Sequence, residues 1–187
     1  MLIFDAHIDT LSRMLSRKEN FAASGGHVNL QLLRQGGIGA QFFAVFVHPF
    51  YYHGLALHKA LEMIDLFWKT IGEHPQELAF AGSGQDIAGL NRLGKTACLL
   101  AVEGGEVLEG KLAHLRILYR LGVRLLTLTW NHRNALASGQ LEGEGGGGLS
   151  SFGRSVVTEM NRLGMLVDVS HLNDLGFWDV LETSTMP

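Results

Sequence analysis

Apolar residues fall along the chain in two patterns. Apolar-rich runs fill positions 2–4, 38–47, 97–102, 123–129 and 165–169, and the segments between them carry apolar residues three or four positions apart. A continuous run is what a strand buried on both faces requires, whereas the wider spacing is the stripe of an amphipathic helix. The spacing predicts helices over 10–20, 30–34, 55–71, 85–93, 112–121, 151–163 and 175–181, and a further short strand over 78–81. Asn29 and either Ser150 or Ser151 stand where N-caps belong. The longest stripe is Leu57, Leu61, Ile64, Leu66, Phe67, Trp68 and Ile71. Gly36-Gly37, Gly94, Gly122 and Gly164 follow predicted helices, the place where a left-handed closing residue is wanted. Residues 21–27 and the glycine-rich 140–149 read as loops.

Strand, helix, closing glycine and strand again is the alternation of an α/β fold with a parallel sheet. The polar candidates gather in one place on it. His7 and Asp9 follow the first run, Glu103 the third and His171 the fifth. Enzymes on (β/α)₈ barrels collect their catalytic groups from several strands at the C-terminal face of the barrel. A doubly wound sheet also binds ligands at its strand ends, but its glycine-rich phosphate fingerprint is missing after the first strand. The expected fold class is α/β, a (β/α)₈ TIM-barrel metallohydrolase fold of which the chain carries about the first five strands, in one domain over 1–187.

Composition changes this picture little. The 187 residues are 47% hydrophobic, with a formal net charge of -3 and no Lys/Arg cluster. That suits a globular core and leaves nucleic acid without an electrostatic footprint. No apolar stretch is long enough to span a bilayer, and the N-terminus lacks a basic head and apolar core of the signal-peptide kind. The single cysteine, Cys98, sits inside an apolar run and reads as a small buried hydrophobe. A cytoplasmic protein without membrane or nucleic-acid partners is expected. The histidines of 53–74 read as surface or cap residues.

Two chemistries compete at the strand ends. On a strand, positions i and i+2 share a face, so His7 and Asp9 project together as half of a metal site. Equally, Asp9 or Thr10 caps the following helix. Glu103 reads as a metal ligand or as a carboxylate in the first turn of a helix, favoured there by the dipole. His171 reads as a ligand or as part of the cap region 170–173. A set of two imidazoles and two carboxylates suits a mixed nitrogen and oxygen site, zinc first. A carboxylate has two oxygens, so one Glu can bridge two metals that clamp a hydroxide and polarise a carbonyl.

The motifs Asp5-Ala6-His7-Ile8-Asp9, Glu103-Gly104-Gly105, Leu126-Thr127-Leu128-Thr129, Phe152-Gly153 through Met160-Asn161-Arg162-Leu163-Gly164 and Asp168-Val169-Ser170-His171 occur in that order. Together they resemble the membrane dipeptidase (renal dipeptidase) family of zinc peptidases, in particular its soluble bacterial members. The resemblance implies two zinc ions, with His7 and Asp9 on one, His171 on the other and Glu103 bridging both as the catalytic carboxylate. It further implies hydrolysis of dipeptides, including those with a C-terminal D-residue, by water held between the metals. The animal enzymes place a substrate-contacting His directly after Leu-Thr-Leu-Thr, and Trp130 stands there in this chain. Trp130, Asn131 and His132 are therefore the expected substrate-binding residues.

A (β/α)₈ barrel needs eight strands in about 250 residues, and five runs leave an apolar sheet edge. The family's second His for the second zinc, its carboxylate-binding Arg and its proton-handling Asp find no match before Pro187. The chain is expected to be the N-terminal part of such a barrel, with a homodimer as one possible assembly. Two other readings stand beside the dipeptidase. One is a barrel metallohydrolase acting on another amide or a lactone. The other is an inactive remnant serving as a binding or assembly piece.

Overall fold

The computed structural model describes residues 2–23 and 25–186; Met1, Ser24 (in the expected 21–27 loop) and Pro187 lie outside the described residues. The strands are β1 (Ile3–Ile8), β2 (Ile38–Phe46), β3 (Leu78–Phe80), β4 (Thr96–Glu103), β5 (Val123–Thr127) and β6 (Leu166–Asp168). The helices are α1 (Thr10–Arg17), α2 (Leu30–Gln35), α3 (Ala56–Glu73), α4 (Gly84–Arg92), α5 (Leu112–Arg120), α6 (Ser151–Leu163) and α7 (Asp174–Thr183). The hydrogen-bonded strand order is β1-β2-β4-β5-β6, with β3 paired to β4 beside that path. The β1–β2, β3–β4 and β5–β6 pairings are parallel. The five apolar runs are thus the five strands of the path, and the short strand expected over 78–81 is β3. None of the helices among the described residues is long and apolar enough to cross a membrane.

The chain divides into two compact units, the first being Met1–Phe46 with Leu61–Leu100. Its centre is β2, whose residues from Ala40 to Val45 are all buried and against which α1, α2 and α4 pack. Phe21, Phe43, Phe67 and Phe80 continue this core as edge-to-face rings with successive centroids 5.5, 5.5 and 6.4 Å apart. Such contacts combine large apolar burial with a favourable ring geometry. Cys98 is fully buried in β4, and burial pushes its thiol up to about 12, as expected of an inert core residue.

Two elements of this unit differ from the expectation. Leu2, Ile3 and Phe4 are exposed, not buried on both faces: among the described residues β1 lies at the end of the strand order, with β2 as its one neighbour. An apolar run reports composition, not the number of neighbours a strand has. Helix α1 stops at Arg17, three residues short of the expected end. Lys18 turns left-handed at φ 54°, and Glu19 folds back so that its carboxylate meets Arg13 at 3.0 Å. This is the αL closure that ends a helix and satisfies its last carbonyls.

The second unit is Val47–Ala60 with Ala101–Pro187. Strand β5 ends at Thr127, two residues before its apolar run does. The Leu128 N–H donates to the Asp168 carbonyl and the Leu128 carbonyl accepts from the Asn134 side chain. The expected loop over 140–149 begins with 3₁₀ turns at Gln140–Gly145. Ser150 caps α6: its Oγ accepts from the Gly153 N–H at 2.9 Å while donating to the Ala135 carbonyl at 2.6 Å. Its N–H also donates to the Leu136 carbonyl at 2.7 Å, so the loop after β5 is fastened to the start of α6.

Gly153 is what lets that loop approach, because a Cβ there would run into the Leu136 carbonyl. A Gly→Ala change inside a helix ordinarily stabilises by about 0.5–1 kcal/mol. Here the sign reverses: Gly153→Ala is expected to destabilise by about 1–3 kcal/mol through overpacking, read as a lower urea midpoint. A second expectation concerns Glu159 on α6, which meets Arg162 at 2.7 Å and Arg116 of α5 at 3.3 Å. The Arg162 hydrogen bond first, then Arg116, holds its carboxyl down at about 2. A depressed carboxyl pKa contributes stability above its unfolded value and loses it as pH falls toward the folded one. The stability difference between the native chain and Glu159→Gln should therefore be present at neutral pH and vanish between about pH 4.5 and 2, as measured by denaturant titrations across that range.

Candidate metal-ligand residues at the strand ends

In the first unit the pair is His7 and Asp9. Asp5 pairs with Gln41 and Ile8 with Phe43, so β1 carries one residue more than β2 over this stretch. That irregularity lies between Asp5 and Ile8, the stretch that holds His7, whose N–H donates to the Asp5 carboxylate at 3.2 Å. Asp9 lies past the strand, at the N-cap position of α1, and its side chain makes no capping hydrogen bond there. Its backbone carbonyl accepts from Ser12 Oγ and the Arg13 N–H instead. The carboxylate faces the imidazole, with His7 Nε2 3.4 Å from Asp9 Oδ1. The two residues therefore meet across a bulge and a strand–helix junction, not by simple alternation along a strand. Of the two readings of Asp9, capping through its side chain is the one the geometry rejects.

In the second unit the pair is Glu103 and His171. Glu103 is the last residue of β4 and only 7% exposed, and its Oε1 lies 3.2 Å from His171 Nε2. It belongs to the strand, not to the first turn of a helix. The chain leaves β4 through Gly104 at φ 95°, which L side chains rarely adopt. The Gly104 and Gly105 N–H groups donate to the Thr127 and Leu128 carbonyls, and a Cβ on Gly105 would collide with the Leu136 side chain. His171 itself is held at φ 66° in the loop before α7, whose N-cap is Asn173: its Oδ1 accepts from the Gly176 N–H and its Nδ2 donates to the Gly147 carbonyl. The cap is thus two residues beyond His171.

Several residues around this pair carry no signal in periodicity. Asp168 accepts from Thr127 Oγ1 at 2.6 Å and from the Ser170 N–H and Oγ at 2.9 and 2.7 Å, tying the end of β5 to the loop that carries His171. The Asn134 Oδ1 accepts from the Leu136 and Ala137 N–H groups, shaping the loop after β5. The Tyr52 hydroxyl and Glu106 Oε2 are both buried without a hydrogen-bond partner. Burial, then the carboxylates of Glu106 and Glu103, push the Tyr52 phenol above its usual range. Burial likewise raises the Glu106 carboxyl, against the opposing pull of its own backbone N–H and Asn134. Glu103 thus lies in surroundings of low polarity, where electrostatic interactions are stronger than in water.

The three expected substrate-binding residues have separate placements. Trp130 is half-buried at the head of the loop after β5. Asn131 Oδ1 lies 3.2 Å from His171 Nδ1. His132 is exposed, with Nδ1 3.5 Å from Glu142 Oε1, and the same oxygen accepts from the Arg133 N–H. Each pair at the strand ends offers an imidazole nitrogen and carboxylate oxygens, donors that suit zinc and similar divalent ions.

The sequence profile of the membrane dipeptidase family, peptidase family M19, matches residues 1–187. Dipeptidase 3 of Mus musculus is 41% identical over 167 residues, which cover 87% of this chain and 33% of that protein. Among solved structures, the metallopeptidase dipeptidase AC superposes with a TM-score of 0.90 at 26% identity, over 98% of this chain and 60% of its own. A metallopeptidase from Rhodobacter sphaeroides, liganded with a phosphinate mimic of the dipeptide L-Ala-D-Ala, gives a TM-score of 0.90 at 25% identity. It is covered over 63% of its length and this chain over 100%. The chain spans about a third of the length of the curated dipeptidase it matches, and its parallel α/β fold is a partial (β/α)₈ barrel of the M19 kind. From its whole length, this chain belongs to the membrane dipeptidase family, peptidase family M19.

Proposed function

We propose that the protein acts as a metal-dependent dipeptidase whose centre takes two zinc ions. In this reading, as membership of the family suggests, His7 and Asp9 would serve one ion, His171 a second, and Glu103 both. The observation that carries it is that each unit brings an imidazole and a carboxylate together at the end of a parallel strand, in a chain of this family. The donor set fits: four residues, all nitrogen or oxygen ligands, with a carboxylate able to bridge. Bound there, the metal supplies Lewis acidity for the peptide carbonyl and activates the attacking water. The chain's own part is to orient its donors. Gly104 and Gly105 anchor the exit from β4 beside Glu103, while Asp168 and Ser170 fix the loop of His171. The burial around Tyr52 and Glu106 strengthens electrostatic interactions at the bridging carboxylate.

Dipeptides, including those with a C-terminal D-residue, are the proposed substrates. The L-Ala-D-Ala mimic bound by the Rhodobacter sphaeroides relative supports that choice. Trp130, Asn131 and His132 are the proposed substrate contacts.

Purified protein should contain about two zinc ions per site and hydrolyse L-Ala-D-Ala; dialysis against a chelator should abolish the activity and added zinc restore it. Activity that survives full metal removal would contradict the reading, and a zinc-loaded protein that cleaves only lactones or N-acyl amino acids would move the substrate class. His7→Ala and Glu103→Ala should each lower turnover by about a hundredfold or more, the scale of losing a preorganised electrostatic contact, together with bound zinc. Native zinc stoichiometry in both variants would remove these residues from the ligand set.

A further inference from the structure

We infer that Asn131 is a positioning residue, which sets the orientation and tautomer of His171 through its side-chain oxygen. The inference rests on the metal-site reading above and deepens it. The His171 ring is engaged at both nitrogens, with Nδ1 3.2 Å from Asn131 Oδ1 and Nε2 3.2 Å from Glu103 Oε1. An amide oxygen only accepts, so Asn131 Oδ1 requires the proton on Nδ1. That leaves the Nε2 lone pair on the Glu103 side, the form in which a neutral imidazole ligates a metal.

The backbone is built to keep the two side chains in register. His171 sits at φ 66°, a conformation a non-glycine residue holds only when its surroundings impose it. Those surroundings are the segment that follows the loop after β5. The Gln140 N–H donates to the His171 carbonyl at 2.8 Å, and the Leu141 N–H donates to the Asn131 carbonyl at 3.0 Å. One short segment thus grips both residues by their main chains. Gly139, just before it, bridges to Leu172, and a Cβ there would strike the Trp130 and Asn131 carbonyls. From the other side, Asp168 fixes Ser170 through two hydrogen bonds. With both backbones clamped, Glu103 at Nε2 and Asn131 at Nδ1 hold the ring between them, and Asn131 is the one that places the proton on Nδ1.

The test uses the full chain, labelled with ¹⁵N-histidine and loaded with zinc, and reads long-range ¹H–¹⁵N correlations beside zinc affinity. The native protein should show His171 protonated at Nδ1. Asn131→Ala should lose the slowly exchanging Nδ1 proton and weaken zinc binding at the site of His171 about 10–100-fold, as expected for the partner of a ligating histidine. Asn131→Asp, which keeps an acceptor oxygen, should retain both; it decides the matter by itself if Asn131→Ala does not fold. Native ring signals and affinity in Asn131→Ala, or their loss in Asn131→Asp, would overturn the inference. His171→Ala separates the two levels. If it loses zinc while Asn131→Ala does not, only the positioning role fails. If it keeps all its zinc, the metal-site reading fails and the inference with it.

Discussion

The second unit depends on a carboxylate taken out of water. Glu103 is almost completely buried at the end of β4, and a buried carboxylate is tolerated only when it is paired or coordinates a metal. His171, from a loop 68 positions further along the chain, brings its Nε2 to 3.2 Å from that carboxylate. Much of the local architecture serves that meeting. Gly104 leaves the strand in a left-handed turn, Gly105 gives room to Leu136, and Asp168 fastens the end of β5 to the approach of His171. Gly153 lets α6 press against the loop that carries Asn134 and Leu136. Each is a place where a side chain would obstruct or where one polar group organises several neighbours.

The first unit solves a smaller problem by a different device. Its pair is more exposed than Glu103, so the surroundings add less to the interaction between charges. What aligns His7 with Asp9 is backbone geometry: an extra residue in β1 between Asp5 and Ile8, then a helix whose N-cap residue leaves its carboxylate uncommitted to capping. The rigidity behind it lies in β2 and the ring cluster around Phe43. Stiff strands under short loops hold ligands more accurately than loops do alone.

The order of elements was legible because apolar runs and helical stripes are local signals, and closing glycines mark where they stop. The two imidazole–carboxylate pairs at the strand ends stood out for the same reason: His7, Asp9, Glu103 and His171 each follow a run. Burial of β1 was not legible, since a run of apolar residues is silent about how many strands flank it. Nor was the junction that brings Asp9 to His7, because a bulge depends on the register of the neighbouring strand. Asp168 was visible inside a motif, but its three hydrogen bonds join β5 and the loop after β6. Tyr52 and Glu106 are separated by 53 residues in sequence, and no period connects them. The contact of Asn131 with the His171 ring is set by chain packing, and residue type alone does not announce it.

The most direct measurement is an anomalous difference map, collected at the zinc absorption edge, from crystals of the zinc-loaded protein. Two peaks are predicted, one on His7 and Asp9 and one on Glu103 and His171. A map with zinc at neither pair would contradict the proposal that these residues are metal ligands.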